Sequence, residues 1–350
     1  MATIVLTGGG TAGHCIPHLA LLPYLKNDFS KIYYIGSEKG IEKDIVEKEN
    51  IPYYHVPCVK LNRNSSIKNL SIPFTLFNGI TKAGKLLDKL KPDVIFSKGG
   101  YVAVPTVIAG KKRGIPVVSH ESDYSMGLAN KITSKYCTKV LTAFSDTAKE
   151  CKNGEYIGSP IRKTSFNISK KEALSYFGFS GNKPVLLVTG GSLGAKKINE
   201  TLIEALSDLV KTYDIIHVCG KGNLNEEIKL KGYFQTEFIS NMQNALAICS
   251  VCVSRAGANT LFELLSLNIP TLLIPLPKGV SRGDQVENAT YFQKLGVVSV
   301  LPQNALTKNS LILNVNSTYN GKDTIKKNLS LHPVKDMSRQ ISRIIADCKK

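Results

Sequence analysis

The chain has 350 residues, too many for one typical core and enough for two domains, with 43% hydrophobic and 21% charged residues, an ordinary globular balance. Its net charge of +18 points to an anionic partner (nucleic acid, an acidic membrane surface or a phosphorylated substrate) unless it is only a lysine-rich solvated surface. No RNA-recognition, KH, zinc-finger or recognition-helix signature is present, so no nucleic-acid partner is expected.

The first apolar run, Thr3–Thr7, reads as a buried strand rather than the core of a leader peptide. It ends in Thr7-Gly8-Gly9-Gly10-Thr11-Ala12-Gly13-His14. Glycines here let the backbone turn sharply and approach a phosphate, and a following helix aims its first amides at the same point. Gly8, Gly10 and Gly13 also spell GxGxxG, a weak dinucleotide signal taken alone. His14 opens the next helical pattern, His14–Lys26, and a neutral imidazole there suits a general base. His14 and His18 have the spacing of a zinc pair, but Pro17 lies between them and no Glu follows His14, so no metal site is expected.

Strand candidates continue at Ile32–Ile35, Tyr53–Val56, Asp93–Ser97, Pro116–His120 and Lys139–Ala143, with helical patterns at Ile67–Leu90 and Val102–Lys112. Continuous apolar strands separated by helices predict a parallel sheet covered on both faces. In the second helical pattern Leu70, Ile72, Phe74, Leu76, Phe77 and Ile80 precede Lys82, Lys85, Lys89 and Lys91. The stripe is either a core-facing helix side or an apolar patch rimmed by lysines for an anionic bilayer. His120-Glu121-Ser122-Asp123 ends a strand, where groups that touch substrate are expected, though they equally suit a polar turn.

Gly158-Ser159-Pro160 reads as a break, after which the rhythm restarts. Strands are predicted at Pro184–Thr189, Asp214–Cys219, Thr236–Ile239, Ser250–Ser254, Pro270–Pro275 and Val297–Leu301, and helices at Ala195–Lys211, Asn259–Leu267 and Gln285–Lys294. A second glycine-rich turn, Gly190-Gly191-Ser192-Leu193-Gly194-Ala195, joins a strand to a helix, and a third follows at Ser254-Arg255-Ala256-Gly257-Ala258-Asn259-Thr260. Two such loops suggest two phosphorylated ligands, unless both are only tight turns. Glu263, one helical turn past the third loop, suits a ribose diol or simply the helix dipole.

The final pattern, Val334–Lys349, reads as an amphipathic helix. The eight cysteines are scattered, several in apolar runs, which fits a reducing compartment; Cys249 and Cys252 form one CxxC without a second pair. No apolar stretch reaches the ~18 residues of a membrane span, so membrane contact is expected to be peripheral. The fold class read from these elements is α/β: two Rossmann-like, doubly wound parallel-sheet domains facing a cleft, 1–160 and 161–333, with 334–350 packing back at their junction.

One ordered set of motifs goes further. Gly9-Gly10-Thr11-Ala12-Gly13-His14, Gly99-Gly100-Tyr101, His120-Glu121, Gly127-Leu128-Ala129-Asn130-Lys131, Gly158-Ser159-Pro160-Ile161-Arg162, the two later glycine loops with Glu263, and Asp284-Gln285 with Asn288-Ala289 run through nearly the whole chain. Together they resemble the peptidoglycan N-acetylglucosaminyltransferases, a family of the two-domain GT-B class. The resemblance implies transfer of N-acetylglucosamine from UDP-GlcNAc to the C4 hydroxyl of the muramoyl sugar in lipid I, giving lipid II with inversion, at the cytoplasmic face of the membrane. It implies no cofactor and no obligatory metal. It places Ile239 near the uracil, Glu263 on the ribose, Ser192, Ala258, Asn259 and Thr260 on the diphosphate, and Arg162, Gln285, Thr11, Ala12 and Gly13 also on the donor. It places Gly9, Gly10, Thr11, Gly13 and Tyr101 at the acceptor diphosphate, and Phe74, Leu76, Phe77, Ile80, Lys82 and Lys85 at an anionic membrane surface. His14 is the candidate base, with Glu121 and Asp123 behind it.

Two positions depart from the common family pattern: Asp123 stands where an Asn often follows the His-Glu pair, and Asp284 where some members carry Gln. The rival readings are another UDP-sugar enzyme of this fold (a 2-epimerase or glycolipid synthase), an NAD(P)-dependent oxidoreductase, for which Glu38 would be the loosely spaced ribose acid, and a non-catalytic nucleotide-binding membrane adaptor.

Overall fold

A computed structural model describes residues 2–60, 72–161, 168–191 and 194–350. The start of the predicted helix at Ile67, with Leu70, Arg162 and Ser192, lies outside the described residues. The chain divides into two units, Met1–Arg162 with Lys335–Lys350, and Lys163–Val334.

In the first unit the strands are β1 (Thr3–Thr7), β2 (Lys31–Gly36), β3 (Tyr53–His55), β4 (Val94–Ser97), β5 (Val117–Glu121), β6 (Lys139–Thr142) and β7 (Gly154–Tyr156). They pair in parallel in the order β3-β2-β1-β4-β5-β6-β7. The order reverses between β1 and β4, the switch point beside which ligands of such sheets bind. Every residue of β1 and β5 is buried, as expected for strands covered on both faces. One face packs Leu21 and Leu25 of the helix Ile16–Asp28 against Ile4, Leu6 and Phe96. The other packs Ala83 and Leu87 of the helix Ile72–Leu90, with Val107, against Val5, Ile95 and Val117.

The C-terminal helix Ser338–Asp347 completes the first face. Its Ile341 and Ile345 are fully buried among Ile4, Leu21 and Leu25. Asp336 anchors its start, accepting hydrogen bonds from the Ile161 amide at 3.0 Å and the Ser338 amide at 2.9 Å. The helix, expected to pack back at the domain junction, packs on the first unit's core, its apolar stripe against the helix Ile16–Asp28.

The second unit holds β8 (Val185–Thr189), β9 (Asp214–Val218), β10 (Tyr233–Thr236), β11 (Cys249–Ser254), β12 (Thr271–Leu273) and β13 (Ser299–Val300), parallel in the order β10-β9-β8-β11-β12-β13. The strand predicted at Thr236–Ile239 lies three residues earlier: Tyr233 pairs with Ile215 and Thr236 with Val218, after which Ile239 turns into the core beside Val218 and Leu246. Two helices, Lys308–Asn320 and Lys322–Leu331, were not legible, since their Asn, Ser, Thr and Lys residues blur the apolar stripe.

Two buried histidines are held neutral. His217 donates from Nε2 to Asn199 Oδ1 at 3.0 Å and accepts at Nδ1 from the Tyr233 hydroxyl at 2.8 Å, and burial pushes its pKa down to about 4. His18 meets Tyr34 and Phe96 edge-on and is pushed down to about 3, by burial first and then by the Lys98 charge. Below pH 6.5 the unfolded chain takes up protons that the folded chain refuses. The stability from these groups is therefore complete above pH 6.5 and is lost as pH falls toward 4 and 3, at about 1.4 kcal/mol per pH unit per group. Calorimetric melts between pH 7 and 4.5 should show Tm falling with acid, and His217→Gln should flatten that slope; an unchanged slope would refute the assignment.

Candidate functional site

In the first unit the carboxyl ends of β1, β4 and β5 bring three loops to one edge. The β1 loop is shaped by Gly10 at φ +85°. A Cβ on Gly9 would stand 2.4 Å from the Glu42 carboxyl carbon, and one on Gly10 would stand 2.5 Å from the Tyr101 ring. Glu42, fully buried, lies in the short helix Ile41–Glu47. Its Oε2 accepts from the Gly10 amide at 3.1 Å, and its Oε1 from the Ser37 amide at 3.1 Å and the Ser37 hydroxyl at 2.5 Å.

The room that the glycines make is thus filled from inside. On the inner side of Gly9 and Gly10, expected at the acceptor diphosphate, stand Glu42 and Tyr101, and a carboxylate in this hollow opposes the pyrophosphate of a bound dinucleotide. The outward part of the loop is Thr11–Gly13, with Thr11 and Gly13 exposed.

His14 ends the short 3-10 turn Ala12–His14. Its Nδ1 lies 3.0 Å from the carbonyl oxygen of Lys98. A carbonyl only accepts, so Nδ1 carries the proton and Nε2 keeps its lone pair. Lys98 follows β4 and is only 2% exposed. Its Nζ donates to His120 Nδ1 at 2.7 Å and Ser122 Oγ at 2.6 Å, and His120 Nε2 donates to the Gly158 carbonyl at 2.8 Å. Burial pulls the Lys98 pKa down to about 8, against the opposing charges of Glu121 and Asp123. Burial, then the Lys98 charge, hold His120 well below the usual histidine range.

Glu121 is 4% exposed, and both its oxygens are occupied. Oε1 accepts from the amides of Ser122 (2.9 Å) and Asp123 (3.0 Å), Oε2 from the Gly127 amide and Asn130 Nδ2 (both 2.9 Å). Expected as a reserve base, it is spent as the clasp of the loop 122–127, with no lone pair left for a substrate proton. Asp123 is half-buried on the same turn.

In the second unit Gly190, Gly191 and Gly194 shape the loop after β8; at Gly194, φ +74°, a Cβ would fall 2.0 Å from the Cys219 carbonyl. After β11 the helix Ala258–Ser266 starts behind Gly257, with no side-chain cap and no acidic residue in its first turn. Such an end presents leading amides and a partial positive charge. Thr260 is exposed, Asn259 and Glu263 are half-buried and Ala258 is buried. Gln285 Oε1 accepts from the Leu276 amide at 3.0 Å and Asn288 Nδ2 donates to the Ala256 carbonyl at 3.2 Å, so the helix Asp284–Lys294 pins the loops after β11 and β12. Ile239, expected beside a uracil, is 5% exposed and its side chain belongs to the core; its neighbour Phe238 is 71% exposed.

The helix Ile72–Leu90 turns its small residues inward with one leucine: Gly79, Ala83, Gly84 and Leu87 are buried, while Phe74 is 72% and Phe77 67% exposed. A Cβ on Gly79 would lie 2.2 Å from the Pro57 carbonyl. The six expected membrane residues divide. Phe74, Phe77 and Lys85 are exposed, Leu76 and Ile80 are half-buried with Ile80 against the core, and Lys82 helps line an open cavity of about 560 Å³ with Lys39, His55 and Tyr101.

Glu42 and Lys98 were missed in the sequence, where each looks like an ordinary charged residue. The one signal for Lys98 is its position at the end of the apolar run Val94–Ser97, directly before Gly99-Gly100.

Comparison with known proteins gives concordant results. The model of the glycosyltransferase family 28 N-terminal domain matches residues 4–142, and that of the family 28 C-terminal domain matches 185–341. The chain is 46% identical to "UDP-N-acetylglucosamine--N-acetylmuramyl-(pentapeptide) pyrophosphoryl-undecaprenol N-acetylglucosamine transferase 2" of Bacillus thuringiensis subsp. konkukian, covering 99% of this chain and 100% of that protein. It is 45% identical to the transferase of the same description from Clostridium perfringens, covering 98% and 97%. Among solved structures, Acinetobacter baumannii MurG superposes with a TM-score of 0.79 at 24% identity, over 99% of this chain and 100% of that one; at this identity the likeness speaks for the fold.

Glu42→Ala should leave the Gly10 amide and both Ser37 donors without their acceptor, lowering stability by about 2–4 kcal/mol. Glu42→Gln, which keeps one acceptor oxygen, should cost less. Calorimetric melts with both variants near wild type would show that the carboxylate does not hold the loop.

Proposed function

The chain belongs to glycosyltransferase family 28, and on that premise we propose that it transfers N-acetylglucosamine from UDP-GlcNAc to the C4 hydroxyl of the N-acetylmuramoyl sugar of lipid I, the undecaprenyl-pyrophosphate-linked muramoyl peptide, yielding lipid II. The observation that carries this reading is the 46% identity, end to end, with a transferase of that description.

The residues that each unit offers on its own suit a direct, inverting displacement. His14 Nε2, left as acceptor by the Nδ1–Lys98 hydrogen bond, takes the proton of the acceptor hydroxyl. The hydroxyl oxygen attacks the anomeric carbon from the face opposite the diphosphate. The bond from that carbon to the β-phosphate oxygen breaks, and UDP departs with the electron pair. Negative charge growing on the diphosphate is stabilised by the amides and dipole at the start of Ala258–Ser266. That electrostatic role needs no obligatory metal. In this reading Ser192 serves the diphosphate and Arg162 the donor, Glu263 accepts from the ribose hydroxyls, and the backbone at Ile239 meets the uracil. Gln285, its oxygen already engaged, approaches the sugar with its amide. On the acceptor side Thr11, Ala12, Gly13 and Tyr101 are the contacts offered.

A lipid-linked acceptor requires an enzyme that sits on the bilayer. No helix among the described residues is long and apolar enough to cross a membrane. Phe74 and Phe77 stand out from a helix whose inward face is built of small residues, with Lys85 farther along. This is the composition of a surface that inserts aromatic rings among anionic headgroups, and it supports peripheral docking at the cytoplasmic face.

Incubation with UDP-GlcNAc and a short-chain lipid I analogue, in the presence of a chelator, should give the disaccharide and UDP by mass spectrometry. His14→Ala should cut kcat by about 10²–10⁴-fold. Glu263→Ala should raise the KM for UDP-GlcNAc by roughly tenfold or more. Tight UDP binding without disaccharide would refute the acceptor and keep the donor site. Separately, Phe74→Ser with Phe77→Ser should reduce co-sedimentation with anionic vesicles by at least about tenfold while leaving turnover of the soluble analogue intact. Undiminished sedimentation would move the docking surface elsewhere.

A further inference from the structure

The acceptor hydroxyl must reach His14, and the rest of the acceptor must lead away from it. In a muramoyl sugar the peptide hangs from the oxygen on C3, next to the attacking C4 hydroxyl, while the pyrophosphate hangs from C1, across the ring. The peptide therefore departs beside the base, along the carboxyl edge of the first sheet. Toward β5 that edge is filled by buried Lys98 and its partners His120 and Ser122. Toward β2 and β3 it opens into the cavity of about 560 Å³, walled by Glu38 and Lys39 after β2, His55 and Cys58 at the end of β3, Tyr101 after β4, and Lys82 of the helix Ile72–Leu90. Neighbouring strands lie about 5 Å apart, so β3 ends roughly 10 Å from β1 and the cavity is within reach of a peptide on the sugar. Tyr101 joins the two places, since its ring also stands against Gly10 of the β1 loop.

The walls are fixed. Ser37 gives its amide and hydroxyl to buried Glu42, and its carbonyl accepts from the Tyr53 hydroxyl at 2.6 Å. Tyr53 in turn stacks on buried Tyr34. Burial, then Cys58 and the Glu42 charge, raise the Tyr101 pKa, and burial, then Glu42, push Cys58 up to about 11. Both groups keep their protons and remain donors. Lys39 is exposed and Lys82 half-buried, and among the described residues no ion pair engages either. The Glu42 carboxylate lies directly behind Gly40, which opposes a doubly charged pyrophosphate here and leaves singly charged carboxylates and amide groups as the better match. We propose that this cavity is the peptide subsite of the acceptor: Lys39 and Lys82 meet peptide carboxylates, Tyr101 and Cys58 donate to peptide carbonyls, and Glu38 accepts from peptide N–H groups. The inference rests on the transferase reading and extends it from the sugar to the peptide that the sugar carries.

The subsite is tested with Lys39→Met, Lys82→Met and the two together, on three soluble short-chain lipid I analogues: one with the full peptide, one with its peptide carboxylates amidated, and one without the peptide. On the full peptide each single variant should raise the acceptor KM about three- to tenfold and the double variant at least about tenfold, with kcat and the KM for UDP-GlcNAc within about twofold of wild type. Amidation should raise the wild-type acceptor KM by about tenfold and leave the double variant unchanged, because the charges it removes have lost their partners. Without the peptide, all four proteins should share one acceptor KM within about twofold.

A double variant whose acceptor KM stays within twofold of wild type on the full peptide would overturn the proposal. So would an equal rise on the peptide-free analogue, which would give the two lysines to the pyrophosphate. If a variant at half-buried Lys82 does not fold, Lys39→Met alone carries the same comparison at its threefold level. Should the wild type make no disaccharide, calorimetric titration with muramoyl peptide lacking the pyrophosphate reads the cavity by itself. Binding that the lysine variants weaken at least about threefold breaks the transferase reading and keeps the subsite; no binding, or binding that they leave unchanged, overturns both.

Discussion

Parallel pairing makes every strand of a sheet finish on the same edge, and the chemistry of this protein depends on that constraint. In the first unit β1, β4 and β5 are neighbours, so Gly8–His14, Lys98–Tyr101 and Glu121–Asp123 arrive within hydrogen-bonding reach although they are far apart in sequence. In the second unit β8, β11 and β12 do the same for the loops at Gly190, Gly257 and Leu276. Backbone groups past a strand end have no ladder partners. Each loop must find its own acceptors and donors, and the groups that supply them decide what surface remains for a ligand.

At this edge the suppliers are buried charges. Glu42 and Glu121 each gather several donors from loops that would otherwise be loosely held, and Lys98 ties two of those loops together. Such groups are costly to desolvate, and their return is orientation: a His14 with one defined lone pair, and a turn at Ser122–Asp123 with one defined direction. The glycines serve the same end. Much of the space they vacate is taken by the protein's own side chains and carbonyls, so a glycine-rich loop is here a packing device before it is a phosphate cradle.

What was legible in the sequence follows from how local each signal is. Thr3–Thr7 and Lys139–Thr142 stand out because a strand covered on both faces must be apolar throughout. The glycine turns and the ordered motifs identified the fold class and the reaction because they are short and contiguous. Glu42 and Lys98 escaped because their roles are set by partners tens of residues away, and a lone charged residue reads as solvated. Glu121 was legible as a residue of consequence, but only the loop closing on both its oxygens separates a clasp from a base. The helix at Ile72–Leu90 was ambiguous for another reason: Gly79, Ala83 and Gly84 share its inward face with Leu87 while Phe74 and Phe77 point out, so large apolar residues do not by themselves mark its core side.

The helix Ser338–Asp347 makes the first unit discontinuous in sequence. On the ribosome, β1 to β7 emerge first, but Ile341 and Ile345, which seal the core around Leu21 and Leu25, emerge only after the whole of the second unit. The second unit, a continuous segment, has all its parts before then. The first unit can therefore complete its core only after the second has been made. The sheet made first waits with an open apolar face while the later one closes, and it is in that interval that the nascent chain has most need of a chaperone.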